Sequence, residues 1–283
     1  MSFTKMHGAG NDYIYIDCTT TPAPENLPAL AREMSDRHFG AGADGIVLIL
    51  PSDHADFRMR MFNADGSEAQ MCGNATRCIG KYVYDNGLTA GRTVVSLETL
   101  AGIKILDLHP GEDGKIASVT VDMGEPEIHC DLIPVRSKGA DTFINTPMST
   151  TRGEVEVTAV SMGNPHGVVF VEGEITDDLV HGLGSEMEVL ADWPEKANIE
   201  FARIDGPHDI TMRVWERGSG ETLACGTGAC ATAVAASLTG RTDRHVKLHL
   251  LGGCLDIEWR DTDNHVLMTG PATLVYKGTY FRK

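Results

Sequence analysis

The sequence lacks any apolar run long enough to cross a membrane, because none of its windows approaches 18 uninterrupted apolar residues. The opening segment MSFTKMHGAGNDYIYID has no basic stretch followed by an apolar one, so we expect no secretory signal. Basic residues are scarce, with 24 Lys and Arg against 40 Asp and Glu and a formal net charge of −16. Phosphate binding requires a clustered basic surface, so we expect no nucleic-acid partner and no membrane association.

Cysteine is also sparse, with seven residues in 283. Seven is an odd number, and the cysteines are too sparse for a disulfide framework. We therefore expect free thiols and a cytoplasmic location. The stretches MCGNATRC and ACGTGAC lack the Cys-x2-Cys spacing of a zinc knuckle. The glycine-rich run HFGAGADG is followed by no P-loop or dinucleotide fingerprint, so it predicts no phosphate cofactor.

The sequence does contain a repeat of domain length. A shift of 153 residues superimposes Asp56, Met59, Arg60, Glu68, Cys72 and Gly73 on Asp209, Met212, Arg213, Glu221, Cys225 and Gly226. A constant offset over more than 60 residues indicates an internal duplication. We therefore predict two homologous domains, residues 1–123 and 124–271, with a strand at 272–283 completing the first.

Each copy shows the same order of elements. The alternating segments Asp56–Phe62 and Asp209–Glu216 predict strands. Helices are predicted to begin near Cys72 and Cys225, and alanine on every side of the second predicts complete burial. The fold class is thus α/β (α+β): in each domain a mixed, barrel-like sheet wraps around a central helix. We expect the active site in the cleft between the domains.

Cys72 and Cys225 occupy equivalent places at the starts of these helices. A helix N-terminus favours the thiolate, so we expect a lowered pKa for both thiols. The exposed N–H groups of the first helical turn can bind a carboxylate; they belong to Gly73, Asn74, Gly226 and Thr227. Two thiols on opposite faces of one carbon suit a proton exchange that inverts its configuration. The other five cysteines are expected to be buried structural residues.

These residues resemble the diaminopimelate epimerase family, and the resemblance covers essentially the whole chain. It is carried by KMHGAGNDY, FNADGSEAQMCGN, SMGNPH, NIEF, ERGSGETLACGTGAC and MTGPA, in the order of that family. The resemblance implies conversion of L,L-diaminopimelate to its meso form, with no pyridoxal phosphate and no metal. It also implies a small-molecule amino-acid substrate and a homodimer.

The resemblance assigns roles residue by residue. Cys72 and Cys225 are the acid and base, and His166 and Glu216 are the polar pair that assists them. The substrate-binding positions are Asn11, Asn63, Gly73, Asn74, Asn164, Asn198, Glu216, Arg217, Gly226 and Thr227, and Tyr276 matches a dimer contact. Arg217 has no charged counterpart in the first copy, so we expect the distal carboxylate there.

The chain departs from the family at three positions, and two other functions remain open. Many members carry Gln in place of Gly45, Gly in place of Ala75 and Cys in place of Gly167. A proline or hydroxyproline racemase would also use two thiols, but with a small apolar pocket. A thiol-based redox protein would join Cys72 and Cys225 in a disulfide.

Overall fold

The computed structural model describes residues 1–281, in which strands predominate and four α-helices are present. The helices are α1 Leu27–Ser35, α2 Gly73–Asp85, α3 Ser185–Glu188 and α4 Gly226–Leu238, and a π-helical turn spans Asp178–Gly184. No helix within residues 1–281 is long and apolar enough to span a bilayer.

The chain divides into two units, one of Met1–Asp122 with the residues from Thr269 onward, the other of Met123–Met268. The first contains β1 Ser2–Gly8, β2 Asn11–Asp17, β3 Gly45–Leu50, β4 Phe57–Asn63, β5 Glu68–Ala69, β6 Val94–Thr99, β7 Gly102–Pro110, β8 Ile116–Asp122 and β18 Thr273–Thr279. The second contains β9 Thr146–Thr150, β10 Gly153–Ser161, β11 Pro165–Phe170, β12 Asn198–Gly206, β13 Asp209–Glu216, β14 Gly220–Glu221, β15 His245–Leu250 and β16 Gly253–Trp259, while β17 spans Val266–Pro271.

The two units repeat one pairing scheme. In the first, β2 runs parallel to β3, β3 antiparallel to β4, and β4 parallel to β6. In the second, β11 runs parallel to β12, β12 antiparallel to β13, and β13 parallel to β15. The helix α2 or α4 connects the last parallel pair of each unit, as a parallel connection requires a crossover. The predicted mixed sheet with a central helix in each copy is confirmed.

The two central helices both have 13 residues, and each begins directly after its cysteine. The offset of 153 therefore holds along the whole helix, and Cys78 corresponds to Ala231. The offset changes only between the helix and the next strand. Nine residues of α2 and ten of α4 are buried, so both helices form the interior of their units.

Candidate active site

Cys72 is the N-cap residue of α2, and its side chain is partly exposed. Its thiol donates to Oδ1 of Asn11 at 3.3 Å, and Nδ2 of Asn74 donates to the same oxygen at 3.4 Å. On the other side of the amide, Asn11 Nδ2 donates to Asp44 Oδ2 at 2.8 Å. The amide of Asn11 is thus held from both ends, with its carbonyl directed at the thiol.

A buried cation supports this arrangement. Arg77 has no exposed surface, and its guanidinium donates to Asn74 Oδ1 at 2.7 Å and to the carbonyl of Pro271 at 3.3 Å. Gly8 permits this packing, because a Cβ there would lie 3.0 Å from Arg77 Nη2 and 2.9 Å from the carbonyl oxygen of Asn74. The family resemblance assigns no role to Arg77, although a basic residue one turn into a buried helix is a sequence signal for such a position.

An ion network lies behind Asn11. Arg37 bonds to Asp12 at 2.8 Å and to Asp44 at 2.9 Å, and Lys5 pairs with Asp12. Burial raises the pKa of the Asp44 carboxyl, and the charge of Asp12 adds to that effect. Burial acts in the same direction on Asp12, but the bonds from Arg37 and Lys5 outweigh it and lower the pKa of that carboxyl. These charges fix the position of Asp44, which in turn orients Asn11.

In the second unit, three neighbouring strands present polar side chains on one face. His166 on β11 is paired with Asn198 on β12, and Glu200 lies two residues further along the same strand. Glu216 on β13 lies two residues beyond Val214, the partner of Glu200. Because side chains alternate across a strand, these groups share one side of the sheet.

The Cys225 thiol lies among these groups at the start of α4. Its Sγ accepts the N–H of Gly228 at 3.3 Å and lies 3.5 Å from Thr227 Oγ1. The Glu216 carboxyl lies near this thiol and accepts a hydrogen bond from the Thr222 hydroxyl. Cys225 is 6% exposed, so it is enclosed more completely than Cys72.

The expectation of a lowered thiol pKa is wrong for Cys225. Burial raises the pKa of this thiol well above its usual range, and the carboxylates of Glu216 and Glu200 raise it further. The N–H of Gly228 and the hydroxyl of Thr227 act in the opposite direction but do not compensate. Burial also raises the pKa of Glu216. Burial and the two carboxylates therefore oppose formation of the Cys225 thiolate in the substrate-free protein.

Two further predicted binding residues of the second unit, Asn198 and Arg217, are joined to each other. Asn198 is buried; its amide donates to the carbonyl of Pro165 at 3.0 Å and accepts the N–H of Arg217 at 2.9 Å. The Arg217 side chain is exposed and donates to the Glu195 carbonyl at 2.9 Å. Within residues 1–281 no carboxylate pairs with this guanidinium. Its charge is consequently available to a ligand.

The residues of the predicted backbone cradle lie in the first turn of a helix in each unit. Gly73 and Asn74 open α2, and Gly226 and Thr227 open α4, where N–H groups have no acceptor within the helix. Two predicted residues of the first unit lie farther out: Asn63 donates to Ser67 Oγ at 3.1 Å, and Tyr276 on β18 donates to the carbonyl of Ala41 at 3.2 Å.

The three positions that depart from the family pattern, Gly45, Gly167 and Ala75, differ in how closely their neighbours pack around them. A Cβ at Gly45 would lie 2.1 Å from the carbonyl oxygen of Phe62, so this strand has no room for a side chain. At Gly167 a Cβ would lie 2.8 Å from the ring of Trp193. Ala75 is fully buried within α2. Neither glycine position can hold a larger side chain without movement of its neighbours.

The fold has known counterparts among solved structures. A Bacillus anthracis phenazine biosynthesis protein of the PhzF family matches with a TM-score of 0.71 and 16% identity, covering 100% of this chain and 99% of that chain. A probable proline racemase from Agrobacterium radiobacter K84 matches with a TM-score of 0.70 and 17% identity, covering 100% and 93%. At this level of identity, the likeness defines the class of fold.

The sequence specifies the family within that class. The family model described as diaminopimelate epimerase matches residues 3–129 and 158–275. The diaminopimelate epimerase of Acetivibrio thermocellus is 52% identical over 278 residues, which cover 98% of each chain. That of Bacteroides thetaiotaomicron is 52% identical over 280 residues, covering 98% of this chain and 97% of the relative. The chain belongs to the diaminopimelate epimerase family.

Proposed function

We propose that this protein interconverts L,L-2,6-diaminopimelate and its meso form in the cytoplasm, in lysine and peptidoglycan-precursor synthesis, with Cys72 and Cys225 as the two bases and no cofactor. The observation that carries the proposal is the placement of one cysteine at the N-cap of each duplicated helix, in a chain of this family. Each unit supplies one thiol, and inversion requires one proton-transferring group for each face of the carbon.

The proton balance follows from this pairing. One cysteine, as a thiolate, takes the α-proton, and the electron pair of the broken C–H bond remains on the α-carbon and its carboxylate. The other cysteine, as a thiol, gives a proton to the opposite face and becomes the thiolate. At the end the first cysteine is a thiol and the second is a thiolate. The reverse reaction runs through the same steps with the two roles exchanged.

We expect the reacting carboxylate to bind at the helix starts. The N–H groups at Gly73, Asn74, Gly226 and Thr227 stabilise the negative charge that develops on it during proton removal. The amides of Asn11 and Asn164 and the carboxyl of Glu216 bind the α-amino acid end, and His166 supports them. The exposed guanidinium of Arg217 takes the distal carboxylate in a bidentate pair.

We further propose that the protein acts as a homodimer through β18. Leu274, Val275 and Tyr276 are consecutive on this strand and expose 39%, 50% and 40% of their surfaces. An exposed apolar run of this kind is typical of an interface between subunits. Sedimentation is expected to give twice the chain mass for the wild type and the chain mass for Val275→Glu.

The function is tested by proton NMR of L,L-diaminopimelate in heavy water with reduced protein and no added cofactor. We expect the meso form to appear with deuterium at one α-carbon, and Cys72→Ala and Cys225→Ala each to abolish it. Cys254→Ala is the matched control and should keep full activity, since Cys254 is exposed and not buried as expected from the sequence. If the α-proton of proline exchanged and those of diaminopimelate did not, the substrate would be proline and not diaminopimelate. No exchange with either amino acid would overturn the proposal.

A further inference from the structure

Glu200 is a buried carboxyl to which the family resemblance assigns no role. It lies on β12 between Ile199 and Phe201, and none of these three residues has exposed surface. Oε1 of Glu200 lies 2.7 Å from Nδ1 of His166, while Oε2 has no hydrogen-bond partner among the residues described. A carboxyl in an apolar strand is costly to bury, so its presence requires a compensating interaction.

The hydrogen bonds of His166 determine how many protons this pair holds. Nε2 of the ring lies 3.0 Å from Oδ1 of Asn164, and an amide carbonyl can only accept, so Nε2 carries a hydrogen. The 2.7 Å contact between Nδ1 and Glu200 contains a second hydrogen, because a bare nitrogen and a bare carboxylate would repel. Glu200 therefore occupies Nδ1 of the ring, and the Nε2 hydrogen faces Asn164.

This proton arrangement fixes Asn164. With its carbonyl turned to Nε2 of His166, the amide directs its Nδ2 group away, and within residues 1–281 that group has no acceptor. Two N–H donors remain for a ligand carboxylate. Without Glu200, a neutral imidazole can carry its hydrogen on either nitrogen, and Asn164 can turn over to match.

The first unit has no pair like Glu200 and His166 at the equivalent positions. With the offset of 153 residues, Val47 stands in place of Glu200, Tyr13 in place of His166 and Ala75 in place of Gly228. The last difference has a direct cause, because a Cβ at Gly228 would lie 2.6 Å from Oε1 of Glu200. The glycine in the first turn of α4 is thus the structural complement of Glu200, and the first copy can use alanine there.

We propose that Glu200 is a positioning residue of the Cys225 half-site: through His166 it fixes the amide of Asn164 with its N–H groups available to the substrate. The inference rests on the proposed epimerase function. Four titratable groups share this region: Cys225 at the N-cap of α4, Glu216 on β13, Glu200 on β12 and His166 on β11. The carboxylate of Glu200 also contributes to the raised pKa of the Cys225 thiol.

The kinetic test compares Glu200→Gln with Glu188→Gln. Glu188 is the matched control, since it is also a buried carboxyl of the second unit but bonds to Trp215 Nε1 at 2.8 Å and to the N–H of Gly218 at 3.0 Å. We expect Glu200→Gln to raise KM about tenfold or more with a smaller change in kcat, and to move the alkaline limb of the pH profile to lower pH. Glu188→Gln should leave that limb unchanged. An unchanged KM and an unchanged limb in Glu200→Gln would overturn the proposal.

A second readout does not depend on turnover. In protein labelled with 15N at histidine, we expect His166 to show a hydrogen fixed on Nε2 in the wild type and an exchanging mixture of tautomers in Glu200→Gln. The same fixed signal in both proteins would overturn the proposal. If the wild type does not epimerise diaminopimelate but the tautomer is fixed by Glu200, the proposed function fails and the role of Glu200 in orienting Asn164 stands.

A pair of variants separates folding from positioning. Gly228→Ala alone should lower the Tm, because its new methyl group meets Oε1 of Glu200. The double variant Glu200→Val with Gly228→Ala reproduces the Val47 and Ala75 pair of the first copy, so we expect its Tm to recover. Its KM should remain about tenfold or more above the wild type. A double variant with wild-type KM would show that Glu200 has no positioning role.

Discussion

Gly45→Ala is the substitution whose cost follows most directly from the structure. A Cβ at this position would lie 2.1 Å from the Phe62 carbonyl oxygen, 2.7 Å from the Tyr13 ring and 3.1 Å from Cα of Asn63. Two of these three neighbours are backbone atoms of β4, which is paired with β3 and cannot move alone. Overpacking costs up to about 3 kcal/mol, and the reduced freedom of the unfolded chain offsets about 0.4–1 kcal/mol. We therefore expect a loss of about 2 kcal/mol.

The measurement is equilibrium unfolding in urea. An equal slope of the unfolding free energy against urea concentration in the variant and the wild type would establish that only stability has changed. Gly206→Ala is the matched control, since a Cβ at Gly206 meets nothing within 4 Å. Its free energy of unfolding should stay within about 0.5 kcal/mol of the wild type. If Gly45→Ala were as stable as Gly206→Ala, the close packing of β3 against β4 would be refuted.

Three further outcomes are expected. Because the pKa of Cys225 is raised, its alkylation by iodoacetamide, followed by peptide mass spectrometry, should be slow near pH 8 and accelerate only at higher pH; rapid alkylation at pH 7 would contradict this. Asp12→Asn should destabilise the protein at neutral pH. The pKa of the Asp12 carboxyl is lowered in the folded state, so its charge stabilises the fold at pH values above the pKa of the group in the unfolded chain. That difference should disappear in urea titrations as the pH falls through the folded pKa, and a pH-independent difference would exclude the charge as its cause. Arg217→Lys should raise KM without lowering kcat, since a lysine cannot form the bidentate pair; an unchanged KM would remove the distal carboxylate from this position.

The sequence allowed the helix starts and the repeated strands to be predicted, because both depend on local patterns. The helix after Cys225 was expected to be buried on all sides from its alanines, and it is. The strand predicted at Asp209–Glu216 has those bounds in the structure. The family and the mixed fold are likewise confirmed.

The chemistry around the thiols was less predictable, since it depends on burial and strand register. The helix N-terminus alone favours the thiolate, but at Cys225 burial and two carboxylates have the larger effect. Glu200 was not recognised because its segment reads as an ordinary apolar strand; only its alternation with Asn198 places it on the polar face. The role of Arg77 depends on its contact with Asn74, which helical spacing alone does not distinguish from a surface position.

The duplication also determines how this enzyme can evolve. In an assembly of identical single-copy chains, every substitution would appear beside both thiols at once. Here the two copies are encoded separately, so Val47 with Ala75 and Glu200 with Gly228 coexist in one chain. The buried cation Arg77 accordingly belongs to the copy that carries Cys72, and the buried carboxyl Glu200 to the copy that carries Cys225. Selection can therefore tune the acidity of one thiol without altering the other.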